Sequence, residues 1–201
     1  MISGLERIKA RFKCEIEDNL ITQINSFLNS YKLLSNASDY TEKSIEEEKL
    51  EAHVKENDLF FNDLRFSIYL DEGAEQKVFF NDEVSKVFKL NDAIFYVNWS
   101  QYFESLLIHN ILFPETKYEL LGFVKINETL YSAISQDYIR PTEKTKIEKV
   151  REYMISKGFT IKKKNDYVHA DLGIIIEDLH EENVLVKDGI LFFIDTVIYL
   201  K

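Results

Sequence analysis

One cysteine, two prolines and six glycines are all the special backbone chemistry in this chain of 201 residues. Cys14 alone cannot close an intramolecular disulfide, which fits a reducing compartment. No CxxC or HExxH spacing occurs, so no zinc site is expected. No apolar run approaches the roughly 18 residues that a membrane span needs. The opening MISGLERIKARFKCEIEDNL carries acids and no continuous apolar stretch, unlike a signal peptide. A cytoplasmic chain without a membrane partner is the expectation. Basic residues number 25 against 35 acids, a net charge of −10. That sign excludes a broad grip on phosphate backbones, so no nucleic-acid partner is expected, although a local basic pocket for a small anion remains open. What the chain does have is apolar mass: 45% hydrophobic and 13% aromatic residues, enough for a packed core. Its length suits one domain or a small bilobal unit.

Apolar positions at steps of three and four, from Ile2 through Leu5, Ile8, Phe12, Ile16, Leu20, Ile24, Phe27 and Tyr31 to Leu34, predict an amphipathic helix or helix pair. Asn36, Ala37 and Ser38 break it. A second helix is predicted from Ser44, because Ser44 and Glu47 match a capping box, and its charged run SIEEEKLEAHVKEND reads as a solvated face. The character changes near residue 59. LFFNDLRFSIYL, QKVFFND and SKVFKLND read as strands, with a turn at Asn81-Asp82. WSQYFESLLIHNILF is helical in pattern and stops at Pro114. YELLGFVKI and TLYSAISQDYI make a strand pair turning at Asn127-Glu128, and IEKVREYMISKGF is a helix ended by Gly158. LGIII, ENVLVKDG and ILFFID are short strands around a loop. The order predicts an α+β fold: a helical segment over 1–57, then one domain over 58–201, with a small sheet and one helix to about residue 139 and a reduced remainder over 140–201.

The loop between LGIII and ENVLV carries the chemistry. Asp178 and Asn183 lie five residues apart, and Asp195 closes the following strand, so folding of the hairpin brings the three together. An amide and a carboxylate suit Mg²⁺, which takes few protein ligands and completes its shell with phosphates. A third carboxylate left off the metal could accept a hydroxyl proton. That is the division of labour in kinase phosphoryl transfer, and the spacing agrees: Asp178 as base, Asn183 and Asp195 as metal ligands. Each residue alone has an ordinary structural reading, as turn former or strand cap; the three together favour the site.

Such chemistry also needs a lysine on a strand and a helical glutamate to hold it. Lys89 shares a strand face with Val87, while Lys86 points away. Glu104 follows fifteen residues later among Phe103, Leu106, Leu107 and Ile108, where an unpaired acid is costly. A Lys89–Glu104 pair would relieve that cost. Gly73 and Ala74, about sixteen residues before Lys89, stand where a phosphate-covering loop would lie, with fewer glycines than such loops carry. Gln136, Asp137 and Tyr138 fall where backbone groups would meet adenine.

The form Asp178-Leu179-His180-Glu181-Glu182-Asn183 resembles the DLHxxN loop of aminoglycoside and related small-molecule kinases. GAEQKVFF, VFKLNDAIFY, LLIHNILFPETKYELLGF, LGIIIEDLHEENVL and GILFFIDTVIYL together resemble the polyvalent-protein kinase domain family of bacteria, phages and mobile elements, over about residues 66–201. The resemblance implies a minimal bilobal protein-kinase-like fold with a truncated C-lobe, ATP with Mg²⁺, and phosphotransfer by Asp178, Asn183, Asp195 and Lys89. Departures from protein kinases are plain. Ile176 and Glu177 replace the His-Arg before the catalytic aspartate, Thr196-Val197 replaces Phe-Gly, and the chain ends six residues after Asp195, which leads to the expectation of no activation segment. His180 stands where protein kinases keep a lysine; it either steadies phosphate or braces the loop. Three readings follow: a phosphotransferase acting on proteins or itself, a small-molecule kinase, or an inert nucleotide-binding or interaction module such as a phage regulator or toxin–antitoxin component. A partner protein could dock on the N-terminal helices.

Overall fold

The computed structural model describes residues 4–14, 17–35, 43–61, 68–72 and 76–201. Along the chain run α1 (Gly4–Phe12), α2 (Leu20–Ser35), α3 (Lys43–Glu56), β1 (Ile68–Glu72), β2 (Gln76–Asn81), β3 (Lys86–Asn91), α4 (Trp99–Leu112), β4 (Glu119–Ile126), β5 (Thr129–Asp137) and α5 (Ile147–Ser156). The remaining strands are β6 (Thr160–Lys163), β7 (Asp166–His169), β8 (Ile174–Glu177), β9 (Val184–Lys187), β10 (Ile190–Phe193) and β11 (Val197–Leu200). The fold is α+β with antiparallel sheets, as the sequence order implies. The chain forms two compact units, one over Glu17–Glu104 and Tyr118–Tyr138, the other over Met1–Ile16, Ser105–Lys117 and Ile139–Lys201.

The first unit is built on a five-stranded sheet of order β1-β2-β3-β5-β4. Its turns follow from local chemistry. The Asn81 side-chain oxygen accepts the amides of Glu83 (3.0 Å) and Val84 (3.4 Å), closing the β2–β3 connection as an Asx turn. Asn127 and Glu128 both take positive φ, 48° and 65°, as a two-residue hairpin between right-twisted strands requires. In β4, Gly122 has φ +146°, and a Cβ there would sit 2.5 Å from the Leu59 carbonyl oxygen. Only glycine lets the segment Leu59–Phe61 lie against β4, where Phe61 N donates to Phe123 O at 2.7 Å and Phe123 N to Leu59 O at 2.9 Å. Trp99, Tyr102, Phe103 and Phe123 pack as one aromatic cluster, with Trp99 centroids 5.8, 6.1 and 6.4 Å from the other three.

Helix α3 departs from the expectation of a solvated face. Leu50 and Val54 are fully buried, and Glu46 is 1% exposed. The helix already includes Lys43, so Ser44 lies inside its first turn, and Glu47 accepts the Trp99 indole N–H at 2.9 Å. Glu46 and Glu47 are thus spent on tertiary contacts, while Glu48 and Glu56 face water.

The second unit holds the four-stranded sheet β11-β8-β7-β6 and the hairpin β10-β9. Its core gathers Ile8 of α1, Ile108 and Phe113, Val150 and Met154 of α5, and the inward residues of β7, β8, β10 and β11. The amphipathic stripe of α1 therefore extends this core. Helix α5 ends as predicted: Gly158 takes φ +92°, and Phe159 N reaches back to Met154 O at 3.1 Å. The β6–β7 hairpin was not legible in the sequence. Every residue of β6 is exposed, so TIKK shows no alternation.

Candidate active site

Strand β8 presents three consecutive buried isoleucines, 174 to 176, held between β7 and β11. Glu177 still pairs with Val197 of β11, and Asp178 is the first residue to leave the sheet. Asp178 turns the chain with φ +65°, a left-handed conformation that aspartate tolerates better than most side chains. Leu179 is fully buried and pins the loop, while its amide donates to Asn165 O at 3.2 Å. Asp178 itself is exposed.

Asn183 closes the loop. Its Nδ2 donates to the Asp178 carbonyl oxygen at 3.0 Å and to Asp178 Oδ2 at 3.3 Å. With Nδ2 so engaged, Oδ1 is the atom directed away from Asp178, and an oxygen is what a hard cation takes. On the backbone, Ile194 N donates to Asn183 O at 3.0 Å, continuing the β9–β10 pairing and setting Asp195 immediately after that bond. The three residues singled out in the sequence thus share one loop and hairpin end.

His180 is engaged within the same loop. The Glu182 amide donates to its Nδ1 at 3.2 Å, so the neutral ring carries its proton on Nε2. That nitrogen lies 3.4 Å from Asp178 Oδ1.

Beyond Asp195, the chain is fixed by residues that sequence reasoning passed over. His109 of α4 is buried, with Nε2 2.9 Å from the Thr116 carbonyl oxygen and Nδ1 2.7 Å from Thr196 Oγ1. A carbonyl only accepts, so Nε2 donates and Thr196 gives its hydroxyl proton to Nδ1. Thr116 Oγ1 donates to Phe193 O at 2.6 Å, and Ser105 Oγ accepts the Ile198 amide at 3.2 Å. Thr196, in place of the aromatic residue of protein kinases, therefore ties the strand end by hydrogen bonding. A histidine between Ile108 and Phe113 on an apolar helix face was the available signal.

In the other unit, β3 buries Lys89, 3% exposed, and leaves Lys86 half-buried between Glu119 (3.2 Å) and Asp137 (3.6 Å). The faces divide as strand alternation requires. Lys89 Nζ donates to Gln136 Oε1 at 3.3 Å and lies 5.3 Å from the Tyr118 ring centroid. An amide oxygen and an aromatic face both favour a buried ammonium. Gln136 thus contributes its side chain and not merely its backbone. Asp137 faces Lys86, and the Tyr138 ring packs at a tilt against Phe80, 4.6 Å between centroids, while its amide donates to Ser85 O at 3.0 Å. Glu104 lies half-buried on α4 within this unit. Gly73 and Ala74 lie outside the described residues.

Among the described residues no group of three or more His, Cys, Asp or Glu side chains could hold a metal ion. The backbone bond between Ile194 and Asn183 sets Asn183 and Asp195 at one hairpin end, and an amide with a carboxylate is a donor set that suits magnesium accompanied by phosphate oxygens. No helix among the described residues is long and apolar enough to cross a membrane.

One unit thus buries a strand lysine, and the other carries Asp178, Asn183 and Asp195 on one loop and hairpin end. The profile of the family described as "Serine/Threonine/Tyrosine Kinase found in polyvalent proteins" matches residues 43–201, and the chain belongs to that family. The resemblance read in the sequence is borne out, and the matched span reaches further back than the motifs did, to the first residue of α3. Comparison with curated proteins returns no match.

Proposed function

We propose that the chain is an ATP- and Mg²⁺-dependent phosphotransferase with a minimal, bilobal protein-kinase-like fold, phosphorylating a protein or itself in a bacterial, phage or mobile-element setting. Asp178 accepts the proton of the acceptor hydroxyl. The hydroxyl oxygen attacks the γ-phosphorus, the bond to the β–γ bridging oxygen breaks, and ADP leaves. Asn183 and Asp195 are the residues that hold magnesium, whose charge offsets that of the phosphates. Lys89, held by Glu104, binds the nucleotide phosphates; Gly73 and Ala74 cover them, and the segment Gln136–Tyr138 receives adenine. His180 keeps Asp178 oriented.

One observation carries this reading. The Asn183 amide is tied to Asp178 by its side chain, while its carbonyl takes the amide directly before Asp195. A loop that served only as a turn has no need to tie an asparagine side chain to an aspartate and its carbonyl to the strand end that precedes a second aspartate. The test is incubation of the protein with γ-labelled ATP and Mg²⁺, alone and with candidate acceptors. Label appearing on protein supports the reading; label confined to ATP under all conditions rejects it. The DLH form of the loop favours a small-molecule acceptor as the second reading, and label moving to an added aminoglycoside-like alcohol rather than to protein would select it.

A further inference from the structure

Helix α3 uses one face to hold the beginning of α4. Lys43 Nζ donates to the carbonyl oxygens of Asp92 (3.2 Å) and Ala93 (2.6 Å), in the connection from β3. The Glu46 carboxylate accepts the Ser100 amide at 3.2 Å through Oε2 and the Ser100 hydroxyl through Oε1. Glu47 takes the Trp99 indole N–H. Glu46, Trp99 and Ser100 are all buried.

A helix start leaves amides unpaired, and α4 already has a local cap: Asn98 Oδ1 accepts the Gln101 amide at 2.9 Å. A buried carboxylate from a helix fifty residues earlier is more than capping needs. Its desolvation is costly, and such a contact fixes register because no displaced arrangement satisfies it. The positive end of the α4 dipole favours the anion at this place. Ser100 and Glu104 are four apart on α4, one turn along one face. Burial pushes the Lys43 ammonium below its ordinary range, while Asp92, Glu47 and Glu46 pull it back toward charge. The matched family span begins at this lysine.

We propose that Glu46 is a positioning residue for the phosphotransferase site: its grip on Ser100 sets the register of α4 and thereby holds Glu104 where it can pair with Lys89. The role rests on the kinase reading given above. It means that the chain carries its own α4 brace.

The only tryptophan in the chain is Trp99, so intrinsic fluorescence reports this contact directly. In the full chain, Glu46→Gln is expected to shift Trp99 emission, to speed amide exchange over the first turn of α4, and to raise the KM for ATP with a fall in kcat/KM of roughly tenfold or more, the worth of a charged hydrogen bond. Ser100→Ala, a smaller change that keeps the fold if Glu46→Gln does not, is expected to move all three readouts in the same direction. Ser100→Thr, which keeps the hydroxyl, is expected to restore them. Altered emission and exchange with unchanged KM and kcat would overturn the proposal, as would unchanged exchange. If the unmutated protein takes up no nucleotide, the kinase reading falls and this role with it, whereas a Glu46→Gln emission shift would still register the α3–α4 contact; the two failures are therefore distinguishable.

Discussion

Asp178 is held from three directions: a left-handed backbone, the Asn183 amide and the His180 ring. The arrangement separates orientation from chemistry, and substitutions should separate them too. Asp178→Asn is expected to leave nucleotide affinity intact and to lower phosphate transfer by about 10²–10⁴-fold, the usual worth of a general base; equal turnover would remove Asp178 from that role. His180→Ala removes one restraint and no ligand. It is expected to slow transfer by roughly 2–10-fold with nucleotide affinity unchanged, the scale of one net hydrogen bond, and a matching loss of affinity would assign His180 to phosphate instead. Thr196→Val leaves a buried His109 nitrogen without its donor, which should cost about 1–3 kcal/mol in urea unfolding. An unchanged midpoint would show that the contact carries no stability.

At the scale of elements, legibility followed local chemistry. Helix α4, the β4–β5 hairpin and the Gly158 stop were readable because proline, a two-residue turn and glycine announce themselves in the chain. The Asp178–Asn183–Asp195 hairpin was readable because its spacing is fixed by the strands around it. Helix α3 was readable but its buried face was not, since Glu46 is an acid whose burial depends on a serine far along the chain, and its neighbours Leu50 and Val54 are submerged among charges. Strand β6 was invisible because all its residues face water, and only its partner β7 has alternating burial. The same region makes two stability predictions. A Cβ at Gly158 would lie 2.9 Å from His169 Nε2 at φ +92°, so Gly158→Ala should destabilise the fold by about 1–3 kcal/mol in chemical unfolding. No loss would mean that the α5 terminus yields. Tyr167 is buried, and its hydroxyl has no hydrogen bond of ordinary geometry, although the nearby Arg151 guanidinium partly offsets the effect of burial. Burial raises the phenol above its ordinary value near 10. A raised acid favours its protonated form in the folded state, so its contribution is intact below pH 10 and is lost as pH rises through the folded value. Thermal melts of Tyr167→Phe are accordingly expected to lose less stability than the unmutated chain between pH 9 and 11; parallel losses would assign the alkaline limb to Tyr153, whose phenol burial also raises.

For the whole molecule, the family match makes the chain one of kinase type, and the charge balance, ten negative in sum, leaves the buried Lys89 as a specific cation rather than part of a basic surface. The central proposal is that Lys89 serves the nucleotide and the Asn183–Asp195 hairpin end serves its magnesium. Isothermal titration of ATP into the protein, with and without Mg²⁺, into Lys89→Met and into Asp195→Ala tests it most directly. The account requires saturable uptake by the unmutated chain that depends on Mg²⁺ and is lost in both variants. Absence of uptake at millimolar ATP, or undiminished Mg²⁺-dependent uptake in either variant, would contradict it.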